Sequence, residues 1–132
     1  MGLFSKKPMW MSKNEEKALK AVALEENQGI IFDIMEKAPL QKVKAAAAIR
    51  LTDQSVIAKG VKKYAIDYRK AMMEVSSSSG MLKSMNEILV DMEKEKCMEL
   101  ISKLTDKTML KNTKKYFKDE DILNAIEEKM SN

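Results

Sequence analysis

Histidine is absent from the 132 residues, and cysteine occurs once, at Cys97. The first absence removes the commonest metal ligand and the usual general base near neutral pH. The second rules out an intramolecular disulfide, so nothing points to a secreted, stapled scaffold, and a reducing cytoplasm is the expected compartment. Two prolines and four glycines are too few for the turn chemistry of a β-protein. No run of about eighteen apolar residues exists, so no membrane span is expected, and the first residues lack the apolar core of a secretory signal.

What remains is a chain patterned for helix. Hydrophobic residues make up 45% and charged residues 33%, with a formal net charge of +4. The length fits one domain, able to bury roughly two thirds of the surface that its unfolded chain exposes. That domain is expected over residues 13–132, behind a leader over residues 1–12.

The pattern is organised around a block at 43–51, Val-Lys-Ala-Ala-Ala-Ala-Ile-Arg-Leu, followed by the polar quartet Thr52, Asp53, Gln54 and Ser55. Similar blocks occupy 16–24, 68–76, 96–104 and 122–130, and their ends step by 27, 25, 28 and 26 residues. A period of about 26 lies in the range of stacked repeats. The fourth positions are Leu19, Ala46, Ala71, Glu99 and Ala125. A small residue recurring there predicts a close approach between helices. Quartets at 25–28, 52–55, 77–80 and 105–108 supply side-chain oxygens suited to cap a following helix. Each hands over to a pair at the same offset: Gly29-Ile30, Val56-Ile57, Met81-Leu82 and Met109-Leu110. One unit is therefore a leading helix, a short turn and a trailing helix.

Along the chain, the leader combines Leu3, Phe4, Met9, Trp10 and Met11 with Lys6 and Lys7. It reads either as an interfacial or lipidated anchor or, more simply, as a cover in which Trp10 folds over the end of a repeat stack. Pro39 ends one helix near the start of the next. A turn is expected at Ile66 and Asp67, and a five-residue loop from Ser76 to Gly80. The stretch 81–104 reads as one helix or two, with any break near 93–95. The last block carries Glu127 where earlier ones have Ala48 and Ile101, as a terminal repeat with a water-facing surface requires.

The string Leu51-Thr52-Asp53-Gln54-Ser55-Val56-Ile57-Ala58, with Asp67, an Arg/Lys-rich helix start and a second Leu-Thr-Asp at 104–106, resembles the short HEAT-like repeats of bacterial proteins, including the group named after phycobilisome lyases. Ser76 and Lys96-Cys97 depart from that pattern. The resemblance implies an all-α, right-handed α-solenoid of about four helical hairpins that binds a protein partner. It transfers no catalytic residue.

No residue points to catalysis. The pairs Glu15/Glu16, Glu25/Glu26 and Glu127/Glu128 are sequence neighbours, which point about 100° apart on a helix and do not converge. Cys97 lacks a histidine and sits at an apolar position, so it reads as a buried small hydrophobe. Twelve methionines read mainly as core filling, less as an adaptable binding groove. No cofactor or metal is expected. The suggestive charge feature is Lys111, Lys114, Lys115 and Lys118 on one helical face, echoed by Lys59, Lys62 and Lys63. In a solenoid these helices align, offering a basic face to an acidic partner or to phosphate backbones. The expected function is a non-catalytic protein-interaction module, monomeric or weakly oligomeric. The alternatives are a nucleic-acid-associated repeat using the lysine face and an accessory protein to a cofactor-attaching lyase.

Overall fold

The computed structural model describes residues 7–132, and every regular element among them is helical. The helices are α1 (Glu15–Leu24), α2 (Gln28–Lys37), α3 (Gln41–Arg50), α4 (Gln54–Ser76), α5 (Gly80–Lys103), α6 (Lys107–Thr113) and α7 (Glu120–Ser131). Short 3-10 turns span Met9–Met11 and Lys114–Tyr116. The chain divides into two compact units, Met1–Val56 and Ile57–Asn132.

In the first unit three ten-residue helices each bury residues four or three apart: Ala18 and Val22 in α1, Ile31 and Ile34 in α2, Val43 and Ala47 in α3. This spacing gives one apolar stripe per helix. Asn14 and Asn27 cap α1 and α2 by accepting from the Lys17 and Ile30 N–H groups, both at 3.1 Å. The Met9–Met11 turn packs on α1 and α2 with Trp10 half-buried. The anchor reading covers the leader over residues 1–12, of which residues 1–6 lie outside the described residues. At the far ends, the Arg50 guanidinium donates to the carbonyls of Val22 and Glu25, at the end of α1. The Gln28 amide donates to the Arg50 carbonyl at 3.0 Å, and its oxygen accepts from Thr52 and Asp53 N–H at 2.8 and 2.9 Å.

The second unit repeats those ties with other chemistry. Lys129 Nζ donates to the Ser102 carbonyl at the end of α5, at 2.7 Å. Lys107 Nζ donates to the Met130 and Asn132 carbonyls at the end of α7, at 2.7 and 2.9 Å. Arg50 and Lys129 are both the eighth residue of their blocks, and Val22 and Ser102 both the seventh. Gln28 and Lys107 both directly follow a cap, Asn27 and Asp106. The capping positions Asn27, Asp53, Ser79 and Asp106 lie 26, 26 and 27 residues apart, although Ser79 makes no side-chain cap bond.

Two expectations fail. The turn at Ile66 and Asp67 does not exist, because α4 runs unbroken for 23 residues. Its stripe Ile57, Val61, Tyr64, Ala65 and Tyr68 keeps helical spacing straight through that point, with Gly60 buried inside it and no proline anywhere in the helix. The stretch left open as one helix or two is one, α5, 24 residues long. The fourth block positions, expected at close helix contacts, are not the fully buried ones: Leu19, Ala46, Ala71 and Ala125 are half-buried and Glu99 is exposed. Full burial falls on different block positions: the first and fifth in α3 and α7 (Val43, Ala47, Ile122 and Ile126), but the third and seventh in α1 (Ala18 and Val22).

Asp119 joins three helices of this unit. It caps α7 by accepting from the Asp121 and Ile122 N–H groups. Tyr68 Oη of α4 donates to it at 2.7 Å, and Lys94 Nζ of α5 lies 3.3 Å from it and 2.8 Å from Asp121. Burial and the bond to Asp119 push the Tyr68 hydroxyl from the ordinary 10.0 up to about 12. Burial alone would raise Asp119, but the bonds from Tyr68, Ile122 N–H and Lys94 outweigh it and hold its carboxyl below the usual value. The hydrogen bond to Asp121 holds Lys94 above the ordinary lysine range.

Replacing Arg50 with Ala removes a charged donor from two helix-end carbonyls and is expected to cost about 2 kcal/mol by urea denaturation. Tyr68→Phe is expected to cost about 1–2 kcal/mol near neutral pH. Because the native state holds the Tyr68 proton more tightly than the unfolded chain, this contribution is complete below pH 10 and is lost as pH rises toward 12. The depressed Asp119 contributes above the ordinary carboxylate range and loses that contribution on acidification through its folded value. A stability–pH curve on which the Phe variant shows the same alkaline loss as wild type would refute the assignment.

Candidate interaction surfaces

The hairpin of α4 and α5 carries the most unusual surface of the second unit. Between Tyr68 and Cys97 the only buried residue is Asn86. Asn86 Nδ2 donates to the Glu74 carbonyl at 3.4 Å and to Ser78 Oγ at 3.2 Å, which ties the two helices near their connection. The hydroxyls of Ser76, Ser77 and Ser78 take up the last α4 carbonyls, those of Met72, Glu74 and Val75. Gly80 then adopts φ +59°, a left-handed conformation that side chains resist, as the chain enters α5.

In place of a core, this stretch exposes Met72, Met73, Met81, Leu82, Met85, Ile88, Leu89 and Met92. On α5, Met81, Met85, Ile88 and Met92 are 81%, 57%, 61% and 49% exposed and share one face. Asn86, Val90, Glu93 and Cys97 occupy another, about two fifths of a turn away. Helix α5 is therefore apolar outward in its first half and inward in its second, where Cys97, Leu100 and Ile101 are buried. The expectation that the methionines mainly fill a core is corrected here. Helical spacing shows that residues share a face and is silent on what covers it. Cys97 is fully buried as expected, and burial pushes its thiol up to about 12, far from thiolate reactivity.

The lysines predicted to form one basic face divide. Lys59, Lys62 and Lys115 come together around a depression also lined by Met109, Asn112 and Tyr116. Lys115 and Lys118 line a neighbouring depression with Arg69, Met72, Tyr116 and Phe117. Neither depression is lined by an acidic residue. The Lys115 ammonium lies 5.4 Å from the centre of the Tyr116 ring, and Arg69 donates to the Tyr116 carbonyl at 3.3 Å. Lys114 instead makes an ion pair with Glu127 of α7. Lys63 and Lys111 line neither depression. Arg69 and Tyr116 were missed in the sequence because they belong to different elements, and only folding brings them beside the lysines.

No helix among the described residues is long and apolar enough to cross a membrane. No protein-family model, no curated protein and no solved structure matches the chain.

Proposed function

We propose that this chain is a non-catalytic protein-interaction module built from short HEAT-like helical repeats, docking through the outward apolar face of α5. The observation that carries the reading is the coreless length of hairpin between Tyr68 and Cys97, with eight large apolar side chains turned to water. Contiguous apolar surface of this kind is a feature of interaction sites, because a soluble chain gains nothing by leaving it uncovered. The repeat architecture is supported by the matched ties of Arg50 with Lys129 and of Gln28 with Lys107, and by capping positions at 27, 53, 79 and 106. In this reading the repeats make a right-handed solenoid in which α4 and α5 are fused versions of its helical pairs. A single, buried cysteine fits a cytoplasmic setting.

One observation favours a second reading, in which the lysine face meets nucleic-acid phosphates: Lys59, Lys62 and Lys115 converge without an acidic neighbour in the depression they line.

With Met85→Glu/Ile88→Glu, a protein retained stoichiometrically by the wild-type chain is expected to be lost while helical circular dichroism is unchanged, since both side chains are exposed. Equal retention by wild type and variant would overturn the use of this face. For the second reading, duplex-DNA affinity measured from low to high salt should fall with a log–log slope of about −3 if three lysines contact phosphates, and Lys62→Glu should flatten it by about 1. A flat, weak response rejects nucleic acid.

A further inference from the structure

We propose that the occupant of the α5 face is a second copy of this chain, packed antiparallel; this rests on reading the chain as a protein-interaction module. Met81, Met85, Ile88 and Met92 are spaced 4, 3 and 4 residues apart, an order that is the same from either end. A two-fold axis passing between residues 86 and 87 sets Met85 of one copy against Ile88 of the other, and Met81 against Met92. This is the self-complementarity that an isologous contact requires.

The flanks obey the same operation. Leu82 falls beside Leu89 of the second copy on one side of the seam, and Ser84 beside Asp91 on the other. Apolar thus meets apolar, polar meets polar, and no like charges are opposed. Asp91 is the single charge on the seam and its flanks, so nothing there selects a charged peptide.

Area agrees as well. At on the order of 100 Å² for each such side chain, the six exposed apolar residues of α5 offer roughly 600 Å² per copy, near one partner's share of a standard interface. Methionine suits a symmetric seam because its unbranched thioether adapts to an identical neighbour.

Sedimentation equilibrium of the full chain, from micromolar to submillimolar concentration, tests this. Wild type is expected at twice the 15.0 kDa of one chain. Met85→Glu and Ile88→Lys are each expected at the single-chain mass with unchanged helical content. An equimolar mixture of the two variants should recover the doubled mass, because their new charges are opposite and face each other across the seam. A wild type that stays at 15.0 kDa throughout overturns the second copy. So does a variant that still doubles alone, or a mixture that fails to recover. A monomeric wild type that nevertheless retains a different protein, lost in Met85→Glu/Ile88→Glu, would exclude the second copy and leave the interaction reading standing. A monomeric wild type that retains nothing would remove both.

Discussion

A helix of ten residues leaves about two fifths of its backbone polar groups unpaired at its ends, and α1, α2 and α3 all have that length. Structure built from such short pieces depends on what happens at the ends. At the starts, Asn14, Asn27, Asp53, Asp106 and Asp119 accept backbone N–H groups. At the finishes, long side chains from another helix reach over: Arg50 to α1, Lys129 to α5 and Lys107 to α7. These reaching side chains are cations, which is the sign that the negative end of a helix favours. Each tie satisfies orphan carbonyls and also fixes which helix end lies beside which.

Helices α4 and α5 solve the same problem by length. Their 23 and 24 residues pair most of their backbone internally, so half of each can extend without a packed core. What that leaves is side-chain surface, and in α5 it is apolar on a second face. The polar apparatus of Tyr68, Asp119 and Lys94 anchors the hairpin where it meets α7, and Asn86 fastens it near its connection. Between those points the hairpin is a scaffold for the outward stripe of methionine, leucine and isoleucine.

Much of this was legible from residue order. The caps Asn27, Asp53 and Asp106 stand where the polar quartets put them, and α2 and α3 part at Pro39. The helix through Ile66 and Asp67 was missed because a repeat count demanded a turn there, while the local stripe from Ile57 to Tyr68 never broke step. Local periodicity was the stronger signal. The fate of the lysines was illegible for a different reason: Lys114 finds Glu127 thirteen residues away in another helix, and charge spacing within one helix carries no information about that. The roles of Arg50 and Lys129 did have a signal, since both hold the eighth place of their blocks, but a lone cation at a helix end reads as ordinary solvation until its carbonyls are seen.

The aromatic residues also fall unevenly. The one tryptophan, Trp10, rests on α1 and α2 in the first unit, whereas Tyr64, Tyr68 and Tyr116 all belong to the second. The protein thus carries two built-in optical probes: indole emission follows the melting of one half, and phenol absorbance follows the other. Whether both halves unfold as a single cooperative body can be watched without attaching a dye.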